Sequence, residues 1–231
     1  MCGRYRLKTP PSEVGALFDL DLRENFPPRY NIAPTQPIAV IRQSEMRKRE
    51  FALMRWGFIP DWARGEHLQR LSSKPLINAR SETVAEKPTF RSAFKRRRCL
   101  VPADGFYEWK SENGGKQPFH IQRRSEHGSG GLFAFAGVCE TASDPDGGEI
   151  DTAAILTAAT GPDLKPLHAR EPVVIEPAHF ALWLEADERD TDMLSDLLKP
   201  APPGSWEFHA VSKAVNSPRH EGPDLIEPLA A

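Results

Sequence analysis

Short apolar or alternating stretches recur along the chain. Residues 38–42, 50–56, 105–110, 118–123, 132–138, 153–158 and 207–211 carry strand-like patterns. Turn-forming residues separate several of them: Asn113-Gly114-Gly115, the glycines between positions 128 and 131, and the Asp-Pro-Asp-Gly-Gly run at 144–148. Helical patterns are fewer. Residues 11–17 open with prolines and Ser12-Glu13, and residues 88–97 carry Phe90 and Phe94 one helical turn apart. Residues 176–184 and 191–198 also read as helices, punctuated by Pro177 and Pro200. Strands outnumber helices and do not alternate with them, which disfavours a doubly wound parallel sheet. The expected architecture is α+β, a mixed or antiparallel sheet curled towards a barrel with peripheral helices. Neither an internal repeat nor a low-complexity linker interrupts the pattern, so one domain over residues 1–231 is expected.

Composition adjusts this picture only a little. The 231 residues are 39% hydrophobic and 27% charged, ordinary for a globular protein, while 22 prolines favour short elements joined by many loops. No apolar run approaches the length of a membrane span, and the first residues lack the apolar core of a signal peptide, so a cytoplasmic protein with no membrane partner is expected. Cys2, Cys99 and Cys139 are too few and too scattered for a disulfide framework. The cysteines and seven histidines show no metal-ligand spacing, so neither a metal nor another cofactor is expected. A net charge of −2 gives no global argument for nucleic acid. Its distribution says more: residues 42–49 and 91–98 are basic and residues 185–196 are acidic, an asymmetry that permits a local basic groove.

Cys2 carries the most specific chemistry. Removal of Met1 would leave an amine and a thiol on adjacent carbons, and the α-amine titrates near ~8, well below a lysine. Such a pair condenses with an aldehyde: the amine forms a Schiff base, and the sulfur then closes a five-membered thiazolidine. Glu108 lies in Gly105-Phe106-Tyr107-Glu108-Trp109-Lys110, where strand alternation puts Phe106 and Glu108 on one face and Tyr107 and Trp109 on the other. A carboxylate desolvated among aromatics is suited to moving protons. His168 stands near a chain reversal and could serve as a general acid or base. On a strand, Asn78 and Arg80 would share a face, an amide for a carbonyl and a guanidinium for a phosphate. Trp56 to Trp62 is aromatic-rich, and beside Arg80 and the basic residues 95–98 it would form a stacking platform with a positive rim. Taken singly, each of these has a plain alternative in a core or surface residue.

Together they fall into one pattern. The matching pieces are Met1-Cys2-Gly3-Arg4-Tyr5, Tyr30-Asn31-Ile32-Ala33-Pro34-Thr35, Trp56-Gly57-Phe58-Ile59-Pro60-Asp61-Trp62, Ile77-Asn78-Ala79-Arg80-Ser81-Glu82-Thr83 and the run from Arg97 to Lys110. Leu156-Thr157-Ala158-Ala159, His168-Ala169-Arg170-Glu171-Pro172-Val173 and Val211-Ser212-Lys213-Ala214-Val215-Asn216 complete it. In these motifs the sequence resembles the SOS-response-associated peptidase (SRAP) family, the abasic-site processing proteins. The resemblance implies a barrel-like α+β fold and a DNA-repair protein of the SOS response. It implies that Cys2, freed of Met1 by self-processing or an aminopeptidase, forms a thiazolidine cross-link with the ring-opened abasic site, with lyase-type chemistry. Asn78 would hold the Cys2 backbone and the sugar, Glu108 would orient the amine and act as general acid/base, and His168 would transfer a proton to the sugar. Arg4, Pro34, Trp56, Trp62, Arg80 and Thr157 are implied for DNA, the arginines on phosphates and the segments around Pro34, Trp56 and Trp62 against bases. The implied partner is single-stranded DNA with abasic sites, strand–duplex junctions included, met by a monomer that is nucleoid-associated when bound. One departure stands out: His168-Ala169-Arg170-Glu171-Pro172 replaces the family's common His-Asp-Arg-Met-Pro, a change bearing on proton transfer and release rather than trapping. An N-terminal-nucleophile amidohydrolase and a non-covalent single-strand binder are the competing readings of the same residues.

Overall fold

In the computed structural model, which describes residues 2–112, 114–124, 131–143, 146–187 and 191–229, five strands close on themselves. They are β3 (Pro37–Gln43), β4 (Arg49–Trp56), β6 (Arg98–Ala103), β9 (Phe133–Ser143) and β10 (Glu149–Ala159). The ring runs β10–β4–β3–β6–β9 and back to β10, antiparallel throughout except for the parallel β4–β10 pair. Closure leaves none of these five with a free edge along its paired length, which is the physical advantage of a barrel over an open sheet.

Two short additions complete the barrel and prepare the site. Where β4 leaves β10, β5 (Asn78–Arg80) takes its place in parallel, with Asn78 opposite Ile155 and Arg80 opposite Thr157. On the other side β10 and β9 part, and residues 170–175 fill the gap. There β11 (Arg170–Pro172) pairs with β10, and β12 (Val174–Ile175) pairs with β9.

A second, antiparallel sheet has the order β13-β8-β7-β1-β2, built from β1 (Tyr5–Leu7), β2 (Arg29–Ile32), β7 (Gly105–Glu112), β8 (Gly115–Arg123) and β13 (Trp206–Ala210). Edge-to-face aromatics join it to the barrel. Tyr5 packs on Trp56 and Phe135 with ring centroids 5.3 and 5.9 Å apart, and Phe106 packs on Phe135 and Trp206 at 6.0 and 5.3 Å. Such pairs contribute about 0.5–1.5 kcal/mol each beyond their buried area. The chain passes from β6 into the second sheet at Asp104-Gly105. The backbone comes so close there that a Cβ on Gly105 would lie 2.7 Å from His120 Nε2 and 2.8 Å from the Ile121 carbonyl. Asp104 fastens the same corner, accepting from the Thr9 backbone at 2.9 Å and its hydroxyl at 2.6 Å.

The helices are short and peripheral: α1 (Pro11–Phe18), α2 (Gly65–Ser73), α3 (Arg91–Arg96), α4 (Phe180–Glu185) and α5 (Thr191–Leu194). The expected helices at 11–17, 88–97, 176–184 and 191–198 correspond to α1, α3, α4 and α5, while α2 was not expected. The predicted turns fall partly outside the described residues, at positions 113, 128–130 and 144–145. No helix among the described residues is long and apolar enough to cross a membrane.

Candidate functional site

The expected alternation along β7 holds. Phe106 joins the main core, whereas Tyr107 and Trp109 belong to a separate cluster with Val211, Val215 and Leu225. Glu108, on the Phe106 face, is only 4% exposed. Tyr5 lies opposite Phe106, and the Tyr107 N–H donates to the Arg4 carbonyl at 2.9 Å. Continuing that register places Glu108 across from Gly3, one residue from Cys2.

Cys2 is wholly buried. Its carbonyl accepts from Asn78 Nδ2 at 2.8 Å. Asn78 stands where it does because β5 is registered on the buried strand β10, and its Oδ1, also buried, accepts no hydrogen bond among the described residues. Burial pushes the Cys2 thiol well above the usual cysteine range, and the negative charge of Glu108 adds to this, against a lowering hydrogen bond from the Arg4 backbone. The cysteine is therefore held as a neutral thiol beside a carboxylate.

His168 lies on the loop that leaves β10 after Ala159 and returns as β11. The Thr160 N–H donates to the Ala169 carbonyl at 3.1 Å, and the backbone N–H groups of Leu167 and His168 both donate to the Leu164 carbonyl. Nδ1 of His168 is engaged by Arg170, whose N–H donates to it at 3.0 Å. Arg170 in turn forms a two-pronged pair with Glu82 at 3.0 and 2.8 Å and donates to Thr157 Oγ1 at 3.1 Å. One strand, β10, thus supports both β5 with Asn78 and the loop with His168. The role of Glu82 was not visible in sequence, because its partner lies 88 residues away.

The residues expected on DNA divide sharply. Arg80 is exposed at the end of β5 and forms no ion pair among the described residues. Trp62 is 49% exposed, edge-on to His67, and Pro34 is half-buried just before Thr35. Trp56 is 0% exposed, packed on Tyr5 with Nε1 donating to the Ile77 carbonyl at 2.9 Å, so it offers no face to a base. Thr157 is equally buried and serves Arg170. Arg4 is half-buried and bonds Asn31 Oδ1 and the Val215 carbonyl, both at 2.6 Å, tying the N-terminal strand to the C-terminal segment.

The expected basic groove also needs correction. Arg98 is buried and donates to the carbonyls of Phe94, Lys95, Trp183 and Ala186. Arg47 and Arg49 pair with Asp187 and Glu185, and Arg97 pairs with Glu140. Much of the basic charge in these runs is thereby spent on acidic partners and carbonyls near the start of β6.

Known proteins match this arrangement over nearly its whole length. The family described as SOS response associated peptidase (SRAP) matches residues 1–218. Abasic site processing protein YoqW of Bacillus subtilis is 37% identical over 231 residues, spanning 98% of this chain and 99% of its own. Abasic site processing protein YedK of Escherichia coli is 29% identical over 238 residues, spanning 99% and 100%. The abasic site processing protein HMCES of Gallus gallus is 31% identical over 233 residues, with 90% of this chain and 68% of that protein covered. A crystal structure from Bacteroides thetaiotaomicron has the same fold, with a TM-score of 0.82 at 23% identity over 99% of this chain and 100% of that one. Another, from Bordetella bronchiseptica, gives 0.78 at 30% identity over 91% and 100%. The chain belongs to the SOS response associated peptidase (SRAP) family.

Proposed function

We propose that this protein processes abasic sites in single-stranded DNA by trapping the ring-opened sugar on Cys2. Met1 is removed first, a step that fits the peptidase in the family's description and frees the Cys2 amine. His168 gives a proton to the sugar ring oxygen as its bond to C1′ breaks, and the C1′ hydroxyl releases its proton to water, leaving the open aldehyde. Because the Arg170 N–H donates to Nδ1, that nitrogen is the acceptor and Nε2 carries the proton that is exchanged. The amine attacks the aldehyde carbon, water leaves, and a Schiff base forms. The Cys2 sulfur then adds to the imine carbon while its proton passes through Glu108 to the nitrogen, closing the thiazolidine. In this order the amine is the first nucleophile, and the sulfur needs its base only at ring closure.

The observation that carries this reading is the grip on residue 2: Asn78 holds the Cys2 carbonyl at 2.8 Å beside the buried Glu108. The names of the relatives support the substrate. Arg80 would take a phosphate, while Trp62 and the Pro34 turn would meet unpaired bases.

The test is incubation with single-stranded DNA carrying one abasic site, read on a denaturing gel. A heat-stable slow band is expected with the aldehyde and absent when the abasic site is first reduced to the alcohol. No band from protein lacking Met1 would leave a non-covalent binder or an amidohydrolase.

A further inference from the structure

We infer that Glu171 is a positioning residue for His168, its buried carboxylate clamping the loop that carries the imidazole. This rests on the reading of His168 given above. Glu171 lies on β11 and is 1% exposed, and among the described residues its carboxylate forms no ion pair with Lys or Arg. Burying a carboxylate without a counter-ion costs several kcal/mol unless hydrogen bonds offset it. Three donors do so here. Thr160 Oγ1 and the Gly161 N–H reach Oε2 at 3.0 and 2.9 Å, and the Ala201 N–H reaches Oε1 at 2.8 Å.

These donors are placed where they govern His168. Thr160 and Gly161 begin the loop, and the Thr160 N–H also closes its neck on the Ala169 carbonyl, next to His168. At the far side of the neck, Arg170 engages Nδ1 of His168, and Arg170 is the neighbour of Glu171 in β11. One carboxylate therefore fixes the outgoing side of the loop against the strand that fixes the imidazole, and Ala201 braces it from outside. An apolar side chain at 171 could fill the same space but could not hold the neck of the loop.

Loss of the clamp should slow opening of the sugar without disabling Cys2. In protein with Met1 removed, Glu171→Ala is expected to form the cross-link with abasic single-stranded DNA at least ten-fold more slowly. Its affinity for DNA bearing the unreactive tetrahydrofuran analogue should stay within two-fold, and capture of acetaldehyde by Cys2, which needs no ring opening, should keep the wild-type rate. Made on His168→Ala, the same substitution should have no further effect on cross-linking. If Glu171→Ala fails to fold, Thr160→Val removes one donor and should slow cross-linking in the same direction, again only when His168 is present. An equal slowing in the His168→Ala background, or a parallel loss of acetaldehyde capture, would show a general loosening and overturn the inference. So would wild-type cross-linking by the folded variant. Should wild-type protein form no cross-link at all, the reading of the site fails and this inference falls with it.

Discussion

At the residue scale, the role proposed for Cys2 separates binding from bonding. Cys2→Ala is expected to abolish the heat-stable adduct while changing non-covalent affinity for single-stranded DNA less than two-fold, as a gel-shift titration beside a denaturing gel will show. Cys2 stands out as a candidate in the sequence because an amine next to a thiol needs no fold to be recognised. Trp56, Thr157 and Arg98 were misjudged for the opposite reason: composition gives the side chain, and only closure of the barrel shows which side faces water. A buried histidine away from the site adds a pH dependence. Burial, then the charge of Arg6, whose Nε donates to His120 Nε2 at 2.8 Å, then His209, push His120 down to about 2. The folded protein thus keeps it neutral where the unfolded chain takes up a proton below ~6.5. Its contribution to stability is complete above that pH and declines as pH falls towards 2, by about 1.4 kcal/mol per unit. Urea unfolding at pH 6.5 and pH 5 should therefore show a smaller acid loss for His120→Gln than for wild type, whereas equal losses would contradict this.

At the scale of elements, β5 carries two candidate residues with different surroundings. Asn78 reaches Cys2, and two residues later Arg80 is exposed. Arg80→Ala is expected to weaken non-covalent DNA binding and to reduce the slope of log affinity against log salt by about 1, with the first-order rate of cross-linking at saturating DNA unchanged. An unaltered slope would remove Arg80 from the phosphate contacts. The long strands β3, β4, β7, β8, β9 and β10 were legible because their apolar or alternating patterns run for many residues. β6 was not, although all six of its residues are buried. It opens on the basic run, which reads as solvent-facing, and contains Pro102, which reads as a breaker. The proline is tolerated because β3 pairs with β6 only at Cys99 and Leu100, so no ladder bond to β3 is lost there. β1 has three residues and owes its place to β2 and β7 on either side, which no local pattern reveals. α2 has a weak sequence signature because only Leu68 and Leu71 mark its buried face.

At the scale of the molecule, elements of both sheets converge on the start of the chain. The barrel holds Asn78 and the His168 loop through β10, the second sheet holds Glu108 through β7, and the Tyr5 aromatic contacts lock the two sheets together just beyond Cys2. Glu185 at the end of α4 pairs with Arg49 of β4, and Asp187 just beyond it pairs with Arg47 between β3 and β4. DNA affinity must therefore come from a few local residues rather than from the chain's net charge of −2. On the proposed mechanism, any residue retained in front of Cys2 leaves its nitrogen in an amide, which cannot form a Schiff base. A form with an uncleaved N-terminal extension is expected to bind DNA and form no cross-link. The most direct test of the central claim is peptide mass spectrometry of the cross-linked N-terminus after nuclease and protease digestion. The account predicts a peptide beginning at Cys2 whose mass is that of peptide plus sugar remnant minus one water, with neither a free thiol nor a free amine on that residue. An adduct on a lysine, or on a peptide that still carries Met1, would contradict it.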